Sequence, residues 1–315
     1  MFNRIVLAMC LFLVGAAPGM AQDWPAKTVK IVVPFAAGST PDIVARLIAD
    51  QLSQKYSGST FIVENKPGAS GNLGTAAVAK AVPDGATIGI SISGPLAINS
   101  LLFSNLPYDS QKDIAPITQL ITQPSALVVN PALKVNSVAE LVALIKSNPG
   151  KYNFSSIGNG SLSHLAMEAI AIKAGTKLVH VPYPGSPQAI LSVMRNDTQM
   201  ACLPAISVVP QHTSGAVKIL AVSTAKRSTY LPDIPTLKES GIDVEADAWM
   251  GLIAPGGTPR PLIDKINEDL VERKSLLDTR STVMARQEER IRSQVKEAQT
   301  KLQEDLSPVT GQPLS

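Results

Sequence analysis

The chain has 315 residues, 45% of them apolar, enough to supply the cores of two compact α/β domains. Lysine and arginine number 28 against 25 aspartates and glutamates, a formal charge of +3 with no basic stripe, and aromatics make up only 4%. Recognition of nucleic acid by stacking platforms or phosphate-binding patches has no support in such a composition.

At the N-terminus, Arg4, the apolar run 5–14 and the small-x-small sequence Gly19-Met20-Ala21 form an export signal, cleaved near Ala21. The run is shorter than the roughly 20 residues that a membrane span requires. Cys10 falls inside this signal, so Cys202 has no disulfide partner and reads as a small buried hydrophobe. An exported protein of this size without a disulfide points to a bacterial periplasm.

Downstream, one local pattern recurs: a hydrophobic strand, a loop of small residues, then a sharply started helix. It appears as Lys30-Ile-Val-Val-Pro-Phe35, then Ala36-Ala-Gly38-Ser39, then a helix opened by Thr40-Pro41-Asp42. It returns at 153–164 and again from Val179 through Gly185-Ser186-Pro187. Thr40, Ser186 and Thr258 are each followed by proline, which predicts a hydroxyl at N-cap and proline at the first helical position. After Thr40 the spacing of Ile43, Val44, Leu47, Ile48 and Leu52 is helical. Strands are predicted at 29–34, 61–64, 87–93, 126–129, 178–181, 217–222 and 250–254. Strands alternating with helices predict mostly parallel sheets covered on both faces, with ligands bound off the carboxyl ends of the strands.

Two crossing points, near 123–130 and 220–226, make one lobe an insertion within the other. The expected organisation is a signal at 1–21, a discontinuous first lobe at 22–125 plus 225–270, and a second lobe at 126–224. Such a topology suits hinge closure on a ligand. The tail, 271–315, is rich in charge with only a thin apolar stripe (Val283, Met284, Ile291, Val295, Leu302), as in a solvated helix.

Enzyme and cofactor signatures are weak. The glycine-rich stretch 67–74 lacks both the Gly-Lys-Ser/Thr of a P-loop and the Gly-x-Gly-x-x-Gly of a dinucleotide turn. His164, His180 and His212 show no metal-ligand spacing, so neither metal nor cofactor is expected. Ser223-Thr-Ala-Lys226 matches Ser-x-x-Lys but ends a strand instead of opening a helix. A hydrolase using Ser223 or His164 is therefore the weaker alternative to a binding protein. Helix N-termini present unpaired N–H groups and a partial positive charge, so several facing one crevice would hold an anion without any arginine. His164, in a first helical turn, is expected to stay neutral near the positive dipole end and to donate to a ligand, or else to cap or pack. Asp42 either complements its helix dipole or faces the cleft.

These motifs resemble the substrate-binding receptors of tripartite tricarboxylate transporters, the Bug-type periplasmic receptors. The resemblance is carried by Ile31-Val-Val-Pro-Phe35 with Gly38 and Asp42-Ile-Val-Ala-Arg46, by Val63 through Gly74, and by Leu106-Pro-Tyr-Asp109. It continues through Asn153-Phe-Ser-Ser-Ile-Gly-Asn-Gly-Ser-Leu-Ser-His164, Val179-His-Val-Pro-Tyr-Pro-Gly-Ser186, Leu231-Pro-Asp-Ile-Pro-Thr236 and 248–259, and extends from about Trp24 to Leu270. It implies a type II periplasmic-binding-protein fold, two lobes joined by crossing hinge strands, with a small carboxylate clamped between them. Di- and tricarboxylates, acidic amino acids and aromatic acids are the implied ligands. Carried over by position, the contacts would be Phe35, Gly38, Ser39, Thr40 and Ser70 from one lobe. Ser156, Asn159, Ser161, His164, Tyr183 and Gly185 would come from the other. Implied partners are the membrane permease subunits of the transporter, with the receptor a monomer; a ligand sensor for a signalling partner is the alternative. Two departures stand out. Ala201-Cys-Leu-Pro204 replaces a stretch where many members carry an aspartate suited to a ligand amino group, which disfavours amino acids. The family's closing tryptophan-containing segment is not recognisable beyond about Val271.

Overall fold

A computed structural model describes residues 24–229 and 231–270. The export signal with its cleavage point near Ala21, Cys10 and the charged tail lie outside the described residues. The chain divides into a large unit, residues 1–264, and a small one, residues 265–315. Described residues of the small unit are helical and include an ion pair between Lys265 and Asp269 at 3.1 Å.

Within the large unit are two five-stranded sheets. The first contains β1 (Thr28–Val33), β2 (Thr60–Asn65), β3 (Thr87–Ile92), β4 (Ile114–Gln123) and β10 (Ala248–Pro255), in the order β2-β1-β3-β10-β4. The second contains β5 (Ser125–Val129), β6 (Asn153–Ser156), β7 (Val179–Pro182), β8 (Met200–Pro204) and β9 (Lys218–Val222), in the order β7-β6-β8-β5-β9. The two orders are equivalent, so the lobes repeat one topology.

The predicted strands lie within one or two residues of the observed ones, but each sheet is mixed. β2-β1-β3 and β7-β6-β8 are parallel, whereas β10 runs antiparallel to β3 and β4, and β5 antiparallel to β8 and β9. The reversal follows from the crossing. A strand arriving from the other lobe enters at the cleft end, where its parallel neighbours finish, and so must run against them. No prediction covered β4, an edge strand carrying Pro116 and alternating half-exposed polar residues. Proline is tolerated on an edge because the missing N–H faces away from the ladder.

Helices cover the sheets where their apolar stripes demand it. α1 (Thr40–Lys55) buries Ala45, Ile48, Ala49 and Leu52, the i, i+3, i+4, i+7 face, while Leu47 on the neighbouring face is exposed. Its N-cap is Ser39, one residue before the predicted Thr40. α2 (Asn72–Ala79) crosses β1 so closely that a Cβ on Gly74 would lie 2.5 Å from the Cα of Pro34, which is why glycine stands there. The short helix α3 (Asn99–Leu102) lies between β3 and β4; in the second lobe, α4 (Val138–Lys146) and α5 (Leu162–Lys173) pack Leu141, Ile145, Met167 and Ile170 on Leu127, Phe154 and Met200. Burial of each such side chain contributes about 1.5–3 kcal/mol. α6 (Ser186–Met194) and α7 (Ala205–Thr213) complete that lobe.

The crossings are tied to each other. Only Pro124 separates β4 from β5, and the Ser223 hydroxyl accepts the Ser125 N–H at 3.2 Å and donates to the Ala246 carbonyl at 2.8 Å. Ser223 is fully buried. Both functions of its hydroxyl therefore serve the junction between lobes.

Candidate functional site

The lobes touch across the cleft. The Ala36 N–H donates to the Pro184 carbonyl at 3.3 Å, and the Thr40 and Ser207 hydroxyls are 3.1 Å apart. Between these contacts lie two chambers. The inner one, about 30 Å³, is lined by Phe35, Ser39, Thr40 and Pro41, by Ile92 and Ser93 after β3, and by Gln123 and Ser125 at the crossing. Ile157, Leu162, Ser163 and Ser186 close it from the second lobe, with Pro204 and the start of β10, Ala248-Trp249-Met250. The outer one, about 260 Å³, is lined by Phe35, the loop 68–71, the loop 157–159 and Pro182-Tyr183-Pro184. Phe35 and Ile157 border both.

Three helices, α1, α5 and α6, each bring their first turn to the inner chamber. Their N-terminal N–H groups and dipoles favour negative charge there. Among the described residues, none lining either chamber carries a formal charge.

The first loop is held from below. Gly38, at φ +77°, donates its N–H to the Asp42 carboxylate at 2.9 Å, which also accepts the Asn65 amide at 2.9 Å and pairs with Arg46 at 3.0 Å. Burial pushes the Asp42 pKa up, but the hydrogen bonds from Arg46, Gly38 and Asn65 and the Arg46 charge outweigh it and hold the carboxyl below its ordinary value. Asp42 thus braces the loop from outside the chambers. Ser39 caps α1 with its backbone only: its hydroxyl is buried, 1% exposed as a residue, and has no partner. A cap serine ordinarily accepts an N–H of the first turn.

The second-lobe loop contrasts with it. Ser161 caps α5, accepting the His164 N–H at 3.3 Å and donating to the Gly158 carbonyl at 2.6 Å. The Ser156 hydroxyl accepts the Gly158 N–H at 3.0 Å and lies 2.6 Å from His180 Nε2. His164 Nδ1 accepts the Gly160 N–H at 3.1 Å, which requires that nitrogen to be unprotonated. The His164 ring stacks on His180 at 4.0 Å, and His180 on Phe154 at 4.8 Å. Burial lowers the His164 pKa, partly offset by Glu168. Burial and then the neighbouring His164 push His180 down to about 4.

Of the expected contacts, Phe35, Ser39 and Thr40 line the inner chamber, and Ser70, Asn159 and Tyr183 the outer one. Gly38, Asp42, Ser156, Ser161 and His164 line neither; their polar atoms shape the two loops from behind. Gly185 is the N-cap of α6, and a Cβ there would lie 3.3 Å from that of Ala36. Ser93, Gln123, Ser125, Ser163, Ser186 and Trp249 were missed. All but Ser163 sit at strand ends, crossings or the start of α6, where the rule for ligand placement in open sheets points.

Residues 44–297 match the family described as tripartite tricarboxylate transporter family receptor, a match that runs past Leu270 where the recognisable motifs end. BugT of Bordetella pertussis is 34% identical over 276 residues, covering 86% of this chain and 84% of that protein. An R. palustris protein solved with adipate superposes with a TM-score of 0.76 at 34% identity, covering 78% of this chain and 83% of the other. MatC from Rhodopseudomonas palustris, solved with malate, gives 0.75 at 31% identity, covering 80% and 85%. With a match spanning most of its length and relatives of this identity, the chain belongs to the tripartite tricarboxylate transporter family of receptors.

Proposed function

We propose that this chain is a non-enzymatic periplasmic solute receptor that closes its lobes on a small carboxylate and presents it to the permease subunits of a tripartite tricarboxylate-type transporter. The observation carrying this reading is the convergence of three helix N-termini, from both lobes, on one chamber that no charged side chain lines among the described residues. Such a site stabilises an anion best when both lobes are in place, which couples binding to closure. The adipate and malate held by two relatives are carboxylates of this kind. The lobes would be 22–125 with 225–270, and 126–224. A hydrolase reading loses its nucleophile, because the Ser223 hydroxyl is engaged at the crossing.

A thermal-shift screen of residues 22–315 against mono-, di- and tricarboxylates tests the proposal. A ligand at 100 times its Kd contributes about 2.7 kcal/mol, a rise of several degrees at about 2–4 °C per kcal/mol for a protein of this size. A selective rise is the expected result. A cooperative transition that no carboxylate moves would overturn the reading.

A further inference from the structure

Two polar atoms in the inner chamber have no partner: the Ser39 hydroxyl and the side-chain amide nitrogen of Gln123. Both are fully buried as atoms, and they come from separate places, the N-cap of α1 and the last residue of β4 at the crossing. A buried donor left unpaired costs about 1–3 kcal/mol, so two of them lining one chamber call for an acceptor between them. The chamber's volume of about 30 Å³ is small. By the same measure one water needs about 10–15 Å³, so it takes two water-sized atoms, such as the two oxygens of a carboxylate.

What lies beyond those oxygens is set by Phe35 and Ile157, which border both chambers and are apolar. The carbon next to the carboxylate would meet them. An ammonium group there would be desolvated beside three positive helix ends, with no acidic side chain among the described residues lining either chamber. A hydroxyl there would face two hydrocarbon surfaces. The outer chamber, by contrast, offers Ser70, Asn159 and Tyr183 to a polar far end.

We infer that Ser39 and Gln123 grip the carboxylate head of an acid whose adjacent carbon is unsubstituted by amino or hydroxyl groups, the apolar body passing between Phe35 and Ile157 into the outer chamber. This rests on the receptor reading and narrows it to one ligand class.

Titration calorimetry of the whole mature protein tests it with hexanoate and adipate, and with 2-hydroxyhexanoate, 2-aminohexanoate, 2,5-dihydroxyadipate and 2,5-diaminoadipate, which are substituted beside every carboxylate. At least one of the two unsubstituted acids binds, and its amino-substituted analogue binds about 100-fold more weakly, about 2.8 kcal/mol at 1.4 kcal/mol per tenfold. Equal binding of a substituted acid and its parent, or failure of both unsubstituted acids while another carboxylate binds, overturns this inference and leaves the receptor reading intact. Failure of every mono-, di- and tricarboxylate, with the protein still melting cooperatively, overturns both. Gln123→Ala and Ser39→Ala each weaken the bound acid by about tenfold or more. Gln123→Glu, which sets a carboxylate against the ligand's own, abolishes binding. Since the Gln123 amide nitrogen has no partner among the described residues, Gln123→Ala does not lower the melting temperature of the unliganded protein; unchanged affinity in that variant refutes the grip.

Discussion

The stacked imidazoles beneath the second-lobe loop work as structural acceptors, and the cost of protonating them is readable in solution. His180 has an ordinary pKa of 6.5 and a folded value of about 4, so between these values the unfolded chain binds the proton that the folded one refuses. Stability therefore falls as pH drops from about 6.5 to 4 and gains no further slope from this group below that. His164 acts in the same direction, because its Nδ1 must stay bare to hold Gly160. His180→Phe, which keeps a ring on Phe154, should flatten the melting temperature across this window. His180 is only half-buried, so solvent screening reduces the effect below the full shift. Equal slopes for variant and wild type would mean that another group carries the acid sensitivity.

At the scale of elements, the two crossings join the lobes and are tied to each other through Ser223. Ser223→Ala leaves the Ser125 N–H and the Ala246 carbonyl without their buried partner, which should cost about 1–3 kcal/mol. Denaturant unfolding should show that loss while ligand affinity stays within a few-fold of wild type. A collapse of affinity at unchanged stability would instead place Ser223 in the ligand's own contacts. The same crossings explain the mixed sheets: β5 and β10 are antiparallel to both neighbours because each enters from the cleft. Edge strand β4 went unnoticed because its polar, proline-containing pattern satisfies the environment of an edge and not of a core.

For the molecule as a whole, function depends on how closely the lobes approach. Gly158, at φ +125°, lies so near the facing lobe that a Cβ would stand 2.8 Å from Ser70 Oγ and 3.0 Å from its Cα. Gly175, at φ +64°, has nothing within 4 Å of its would-be Cβ. Alanine at either position strains the backbone by about 1–3 kcal/mol. Only Gly158→Ala should also prop the lobes apart, weakening ligand by about tenfold or more and raising the radius of gyration of the liganded protein in small-angle scattering. Matching affinity losses in both variants would assign the effect to backbone strain and not to closure.

Family membership and the strand–loop–helix units were legible in the sequence because their signals are local: an apolar run, small residues, and a proline in the first helical turn. β1, β3 and β10 fall within two residues of their predicted positions for that reason. The receiving chamber was only partly legible. Ser39 and Ser161 look alike in the sequence, each a small hydroxyl residue before a helix, and each turns out to be an N-cap. Yet Ser161 is saturated by its own loop, while Ser39 faces the cleft with its hydroxyl unpaired. Gln123 marks only the start of a crossing in the sequence, since nothing near it in the chain identifies it as a ligand group. Local backbone preference determines where a strand ends and a helix begins. Whether a polar atom is satisfied depends on residues far away in sequence, and here only the meeting of the two lobes decided which donors were left for a ligand.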